Sequence, residues 1–201
     1  MNKSPILVLA SGEGTLLQSL IDKQAEFNYQ ITLVISDNPI AKALTRASHA
    51  QIESKAIVES DYASGEVWHQ ALIAAITSAN PELIVLAGFM RILPPKLVNK
   101  FQNKILNSHP SLLPKYPGLN AVAQALAAAE VETGATMHLV DEGVDTGPIV
   151  KQVVVKVSPQ DSITSLHQRI KAAEQAALPN LVDVLVTYGY QVVNGKVVIN
   201  N

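Results

Sequence analysis

The sequence of 201 residues contains no cysteine, which excludes disulfide bonds, thiolate catalysis and metal sites built on cysteine. It has no cluster of lysine and arginine and a formal net charge of −2, which argues against a polyanionic partner such as DNA or tRNA. No apolar run approaches the roughly 18 residues of a membrane helix. The apolar run at residues 6–10 is too short for a signal peptide. We therefore expect no nucleic-acid partner, no membrane and a cytoplasmic location.

Several familiar motifs are also missing. No G-x-S-x-G elbow accompanies a Ser-His-Asp pattern, and no two histidines have a metal-binding spacing such as H-x-x-x-H, so we expect no metal. No repeat, low-complexity tract or linker interrupts the chain. Hydrophobic residues make up 48% of the sequence and the mean hydropathy is +0.19. This composition predicts a single domain over residues 1–201 with a substantial core.

Apolar runs alternate with helical patterns through the first half of the chain. Strands are predicted at residues 5–10, 31–36, 55–58, 83–87 and 105–109, with helices between them. This alternation predicts an α/β, Rossmann-like three-layer fold, in which helices cover both faces of a mainly parallel, twisted sheet. Later strands at 133–140 and 149–157 should make the sheet mixed. A long helix should begin at Ser162 and be kinked or interrupted at Pro179, and Asn194-Gly195 predicts a type I′ hairpin.

The most informative stretch is NSHPSLLPKYPG, at residues 107–118. Asn107 and His109 stand two apart at a predicted strand end, so their side chains should face the same way. Pro110 then ends the strand, because it has no N–H for the ladder. A histidine beside an amide donor, with a carboxylate in reach, suits a reaction that develops an oxyanion and moves protons. The alternative interpretation is a strand end capped by a polar turn.

Two loops follow predicted strands and are candidate ligand sites. Ser11-Gly12-Glu13-Gly14-Thr15 lies between a strand and a helix, an arrangement that presents N–H groups to a phosphate. The third glycine of the dinucleotide pattern is absent, so we predict a site for one phosphate, with a plain tight turn as the alternative. The apolar loop at residues 88–95 can form a pocket wall for a flat ligand. Alternatively, it packs ordinarily and Arg91 pairs with a nearby carboxylate.

Three segments together resemble the phosphoribosylglycinamide formyltransferase family: ILNSHPSLLPKYPG, LAGFMRIL and GATMHLVDEGVDTGPIV. The resemblance extends over nearly the whole chain, from SGEG to KAAEQAALP. It implies a folate-dependent enzyme of de novo purine biosynthesis, a monomer or homodimer. Such an enzyme transfers the formyl group of the co-substrate 10-formyltetrahydrofolate to the amine of glycinamide ribonucleotide.

The resemblance also implies roles for particular residues. The implied catalytic residues are Asn107, His109 and Asp145, with His138 in support. The implied ribonucleotide-binding residues are Gly12, Glu13, Gly14, Thr15, Lys171 at the phosphate and Glu174 at the amine. The implied folate-binding residues are Phe89, Met90, Arg91, Ile92, Leu93, Val140 and Asp141. Residues 1–100 would then hold the phosphate, and residues 101–201 would carry catalysis and folate binding.

Three positions depart from the family pattern. Leu16 stands where Asn is usual, Gly65 where Arg is frequent, and Asn120 where His is common. The change at Gly65 bears on how the polar groups of the substrate are held. None of the three removes a catalytic residue.

Two other classes of protein compete with this interpretation. Methionyl-tRNA formyltransferase and formyltetrahydrofolate hydrolase handle the same formyl donor, but each carries an added domain for which 201 residues leave no room. A non-catalytic nucleotide- or folate-binding module is the more distant alternative. Such a module would not need the set formed by Asn107, His109 and Asp145.

Overall fold

The computed structural model describes residues 3–200, so residues 1, 2 and 201 of the predicted domain lie outside the described residues. Its main sheet has seven strands in the spatial order β3-β2-β1-β4-β5-β6-β7. Neighbours from β3 to β5 are parallel, whereas β6 and β7 run antiparallel. The strands are β1 (Ser4–Leu9), β2 (Tyr29–Ser36), β3 (Ser54–Ala56), β4 (Leu83–Leu86), β5 (Ile105–His109), β6 (Glu132–Leu139) and β7 (Ile149–Lys156). The predicted mixed, mainly parallel sheet is confirmed.

Six α-helices are found within residues 3–200, and they cover both faces of the sheet. They are α1 (Thr15–Lys23), α2 (Lys42–His49), α3 (Gly65–Ala79), α4 (Pro95–Lys100), α5 (Ala121–Ala127) and α6 (Ile163–Tyr188). In the part of the chain that the structure describes, none of these helices combines the length and apolar character needed to span a bilayer.

Alternation along the strands divides the core into two clusters. In β1, Ile6 and Val8 face the cluster formed with α1, α2 and α6, while Leu7 and Leu9 face the cluster formed with α3 and α4. All four side chains are fully buried. Strands buried on both faces read as continuous apolar runs, which explains the pattern of the sequence. The predicted three-layer arrangement is therefore confirmed.

Strand order reverses between β1 and β4. The chain leaves β1 towards β2 and β3 on one side, and leaves β4 towards β5 on the other. In open α/β sheets, ligands bind in the crevice at such a point, outside the carboxyl ends of the strands. The three candidate segments at residues 11–15, 88–95 and 107–118 all lie at this edge, because each follows β1, β4 or β5.

Helix α6 differs from expectation at Pro179. The helix continues unbroken from Ile163 to Tyr188, so the predicted interruption is wrong. Proline removes one backbone hydrogen bond, but the helix buries Leu178 and Val182 around this position against the core. Packing of that face holds the helix together across the proline. Beyond it, β8 (Tyr190–Val193) and β9 (Lys196–Ile199) form the predicted hairpin, with positive φ at Asn194 and Gly195.

Candidate active site

The glycine loop is held in one conformation by its neighbours. Gly14 has φ +66, and a Cβ there would lie 2.7 Å from the backbone of Ala43 at the start of α2. Glycine is therefore required by both conformation and space. The carboxylate of Glu13 forms an ion pair with Lys42 at 3.0 Å. Because this side chain is already paired, the loop offers a ligand its backbone, with Thr15 as the first residue of α1.

The glycine loop and the apolar loop after β4 are joined by two hydrogen bonds. The Ser11 N–H donates to the carbonyl oxygen of Gly88 at 3.1 Å. The Met90 N–H donates to Ser11 Oγ at 2.8 Å. The two candidate ligand loops therefore lie side by side beyond the carboxyl ends of β1 and β4.

Asn107 and His109 project from the end of β5 to one carboxylate. His109 Nδ1 lies 3.1 Å from Asp145 Oδ2, and Asn107 Nδ2 lies 3.4 Å from Asp145 Oδ1. The backbone N–H of Gly118 also donates to Asp145, at 2.8 Å. The predicted common direction of Asn107 and His109 is therefore found, and both meet Asp145.

Gly147 fixes the loop that carries Asp145. A Cβ at Gly147 would lie 1.8 Å from the carbonyl oxygen of Leu139, so only glycine allows this approach. Asp145 itself has φ 55, a left-handed conformation that Asp and Asn adopt more readily than most residues. The loop is thus shaped to place one carboxylate over the end of β5.

Both ring nitrogens of His109 face acceptors. Nδ1 faces the Asp145 carboxylate, and Nε2 lies 2.8 Å from the carbonyl oxygen of Tyr116. A carbonyl and a carboxylate can only accept, so the geometry fits a ring with hydrogen on both nitrogens, which is the positively charged form. His109 is only 5% exposed, so a charge on its ring would act in a site with little water.

His138 lies directly across from Asn107, because the two are paired residues of β6 and β5. Its Nδ1–H donates to the Leu139 carbonyl at 3.0 Å, which leaves Nε2 of the neutral ring as an acceptor. Nε2 lies 3.2 Å from Asn107 Nδ2, so the amide donates to it. His138 thereby orients the amide group of Asn107.

Asp145 remains charged under acidic conditions. Burial disfavours the carboxylate, but the neighbouring ring of His138, the hydrogen bond from the Gly118 N–H and the charge of His109 together outweigh burial. The pKa of Asp145 consequently lies below its ordinary value. The site therefore contains a negative charge at neutral pH that can hold a protonated imidazole.

Glu174 lies on the other face of β5. It is 7% exposed, and Ser108 Oγ donates to its carboxylate at 2.6 Å. Burial raises the pKa of Glu174, against the hydrogen bond from Ser108 and the charge of half-buried Lys171. Lys171 and Glu174 are three apart on α6 and so share one side of the helix.

The residues expected to bind folate occupy three kinds of environment. Phe89, Leu93 and Val140 pack into the core cluster with α3 and α4. Met90 and Ile92 are 76% and 81% exposed, which is unusual for large apolar side chains. Arg91 and Asp141 have polar partners of their own. The apolar loop thus presents two exposed apolar side chains to solvent.

Arg91 is paired rather than free. Its guanidinium contacts Asp37 at 2.9 Å and Glu59 at 3.0 Å, and it lies 5.8 Å from the centre of the Trp68 ring. The alternative interpretation of the Arg91 side chain, pairing with a nearby carboxylate, is therefore what the structure shows. Asp141 likewise accepts bonds from the Gly143 N–H and from Thr146 within its own loop.

The three departures from the family pattern are accommodated locally. Leu16, in the first turn of α1, is 8% exposed and packs in the core. Gly65 is the first residue of α3, after the N-cap Ser64. Asn120 has φ 62, which asparagine tolerates, and precedes α5.

Two contacts of the site escaped sequence reasoning. The Ser108–Glu174 bond joins residues 66 apart, and the His109–Tyr116 contact uses a backbone carbonyl. Strand alternation could have shown that Ser108 faces away from Asn107 and His109. A backbone acceptor leaves no trace in residue type. Among residues 3–200, no group of three or more His, Asp or Glu side chains is placed to hold a metal ion.

Comparison with known proteins identifies the relatives of this chain. Residues 4–182 match the family model described as Formyl transferase. Phosphoribosylglycinamide formyltransferase of Mycobacterium tuberculosis is 42% identical over 94% of this chain and 87% of that protein. The trifunctional purine biosynthetic protein adenosine-3 of Drosophila melanogaster is 45% identical over 90% of this chain, which spans only 14% of its length. A solved phosphoribosylglycinamide formyltransferase from Coxiella burnetii has a TM-score of 0.94 at 36% identity, over 99% of this chain and 94% of that chain.

The sheet is of the α/β type, and an amide, an imidazole and a carboxylate meet at the carboxyl end of β5. The family model matches residues 4–182, so the chain belongs to the formyl transferase family. Within that family it resembles the phosphoribosylglycinamide formyltransferases over most of both lengths. The resemblance and the fold predicted from the sequence are both confirmed.

Proposed function

We propose that this chain transfers the formyl group of 10-formyltetrahydrofolate to the amine of glycinamide ribonucleotide, as a step of purine biosynthesis. One observation carries the proposal. In a member of the formyl transferase family, Asn107, His109 and Asp145 meet at the carboxyl end of β5. These groups can stabilise negative charge on a formyl oxygen, which acyl transfer from nitrogen to nitrogen requires.

The contacts of each residue support its proposed catalytic role. When bound, the formyl donor supplies a carbonyl carbon that the amine attacks, and negative charge collects on its oxygen. The bond from this carbon to the folate nitrogen then breaks, and that nitrogen takes up a proton in place of the one that the amine loses. One N–H of Asn107 is held by His138, while the other makes only a long 3.4 Å contact with Asp145 and is available to donate to the oxyanion. The charge of His109 acts on the same oxygen. Losing one such donor typically lowers the rate about 10²–10³-fold.

The two substrates approach from opposite faces of the sheet in this proposal. The glycine loop, Lys171 and Glu174 belong to the layer of α1 and α6, where the ribonucleotide would bind by its phosphate and amine. The apolar loop after β4, the catalytic side chains and Asp145 lie towards the layer of α3 and α4, where folate would bind. The substrates then meet at the end of β5, and both halves of the chain contribute to both subsites.

The residues of the apolar loop fit the formyl donor. Met90 and Ile92 offer exposed apolar surface. The loop between β6 and β7, which carries Asp141 and Asp145, is tied to α4 by the bond from Asn99 to Glu142 at 2.8 Å. A flat pterin ring needs such apolar walls together with a few backbone polar groups. In this proposal Arg91 and Asp141 contribute their backbone, because their side chains already have partners.

A turnover assay tests the function. Purified protein, 10-formyltetrahydrofolate and glycinamide ribonucleotide should release the folate product, followed by its difference spectrum, and produce the formylated ribonucleotide. Release that continues at the same rate without ribonucleotide would indicate formyltetrahydrofolate hydrolysis instead. Binding of either ligand without turnover would indicate a non-catalytic module.

Replacing Lys171 by Ala is expected to weaken ribonucleotide binding. A hydrogen bond to a charged group contributes about 1.5–3 kcal/mol, so the Kd should rise about 10- to 100-fold. Calorimetric titration with each substrate measures the effect, and folate affinity should stay within about two-fold. Lys23→Ala removes an exposed lysine at the far end of α1 and serves as control. Equal losses for both ligands would show that Lys171 has only a structural role.

A further inference from the structure

The turn before α5 holds His109 through a chain of contacts that ends at Glu130. The Tyr116 carbonyl that faces His109 Nε2 belongs to a residue with φ 55, an uncommon conformation for tyrosine. Such a conformation persists only where surrounding contacts enforce it. The same turn is fastened by Ser111, whose hydroxyl donates to the Lys115 carbonyl at 2.6 Å.

The side chains of the turn converge on one carboxylate. Tyr116 Oη donates to Glu130 Oε1 at 2.7 Å, and Lys115 Nζ contacts both Glu130 oxygens, at 2.7 and 2.9 Å. The Glu130 side chain is 20% exposed, against 60% for Lys115. The hydrogen bond from Lys115, then that from Tyr116, lowers the pKa of Glu130, so the anchor is a carboxylate at neutral pH.

We propose that Glu130 and the Tyr116 hydroxyl are positioning residues, which aim the Tyr116 carbonyl at His109 and so keep the imidazole oriented and doubly hydrogen-bonded for formyl transfer. This inference rests on the proposed function, because it assigns a part in that reaction. Neither residue touches the reacting atoms, and neither belongs to the set implied by the family resemblance. Their effect reaches the oxyanion only through the ring of His109.

Charged and polar groups from several elements surround the end of β5 that carries His109. Asp145, from the loop after β6, faces Nδ1 and is itself contacted by His138. Tyr116 faces Nε2 with its carbonyl. Glu174 of α6 is bonded to Ser108, which points to the opposite face of β5. Loosening the turn therefore removes the hydrogen-bond acceptor at Nε2 and leaves the acceptor at Nδ1. The charged ring should then lose one of the two hydrogen bonds that stabilise it.

The test compares variants of the anchor in the full-length protein. Tyr116→Phe and Glu130→Ala should each lower kcat about 3- to 10-fold, the effect of one hydrogen bond, while the ribonucleotide Kd stays within two-fold. The basic limb of the kcat profile should move to lower pH, because an imidazole with one acceptor fewer loses its proton more easily. Glu130→Gln, which still accepts from Tyr116, should recover part of the loss.

Additivity and matched controls complete the experiment. The double variant of Tyr116→Phe with Glu130→Ala should resemble Glu130→Ala alone, because Glu130→Ala already removes the bond from Tyr116. Tyr188→Phe and Glu26→Gln change exposed residues at the opposite edge of the sheet and should leave kcat unchanged. A kcat within two-fold of wild type, or a lower kcat with an unmoved basic limb, overturns the proposal. A wild-type protein without formyl transfer refutes the proposed function and this inference with it.

Discussion

Replacing Asp145 by Asn is expected to lower kcat by at least about 100-fold while the ribonucleotide Kd changes little. Asp145 accepts hydrogen bonds from His109 and from the Gly118 N–H, and it lies close to Asn107 and His138. The amide of asparagine removes the negative charge beside His109 and places an N–H where an acceptor is needed. Disturbing the two groups that face the oxyanion should cost at least as much as losing one donor, about 10²–10³-fold.

Folding is not expected to confound this result. Position 145 has φ 55, which asparagine adopts readily. Steady-state kinetics gives kcat, calorimetry gives the Kd, and ¹⁵N NMR shows the fraction of His109 with hydrogen on both nitrogens, which should fall. The matched control is Asp22→Asn, which changes an exposed carboxylate on α1 that accepts a hydrogen bond from Gln18. If kcat drops and the NMR signals of His109 stay as in wild type, Asp145 acts through proton transfer instead of through the imidazole.

The sequence predicted the parts of this site that depend on local pattern. The apolar runs correspond to strands buried on both faces, and spacing by two placed Asn107 and His109 on one face of β5. The loops after β1 and β4 could be assigned to one edge because parallel strands end together. These inferences need only the periodicity of a strand and the topology of an α/β sheet.

The remaining parts depend on contacts distant in sequence. Asp145 reaches His109 because Gly147 packs against Leu139 and the loop turns sharply, which no periodicity reveals, so only the family resemblance pointed to it. The same holds for Lys171 and Glu174. At Pro179 the local pattern instead led to a wrong prediction, an interruption of the helix. The helix is unbroken there because packing of its buried face outweighs the local effect of proline.

Replacing Glu174 by Gln is expected to raise the stability of the free protein and to weaken ribonucleotide binding. Burial raises the pKa of Glu174, so the folded state holds its proton more tightly than the unfolded chain. The stability that this group contributes is fully present below pH 4.5, which is the ordinary pKa of a glutamate. It is lost as the pH rises through the raised pKa of the folded protein. Glutamine keeps an acceptor for Ser108 and has no charge to bury.

The two consequences of Glu174→Gln have opposite signs and separate measurements. The difference in Tm between variant and wild type should be near zero in acid and should grow towards neutral pH, because only the wild type becomes charged. The ribonucleotide Kd should rise about 10-fold or more, since a carboxylate binds an amine with a charge-assisted hydrogen bond. Glu26→Gln, at an exposed carboxylate, should change neither quantity. A Tm difference that does not vary with pH would show that the charged form of Glu174 does not destabilise the folded protein. An unchanged Kd would remove it from the amine subsite.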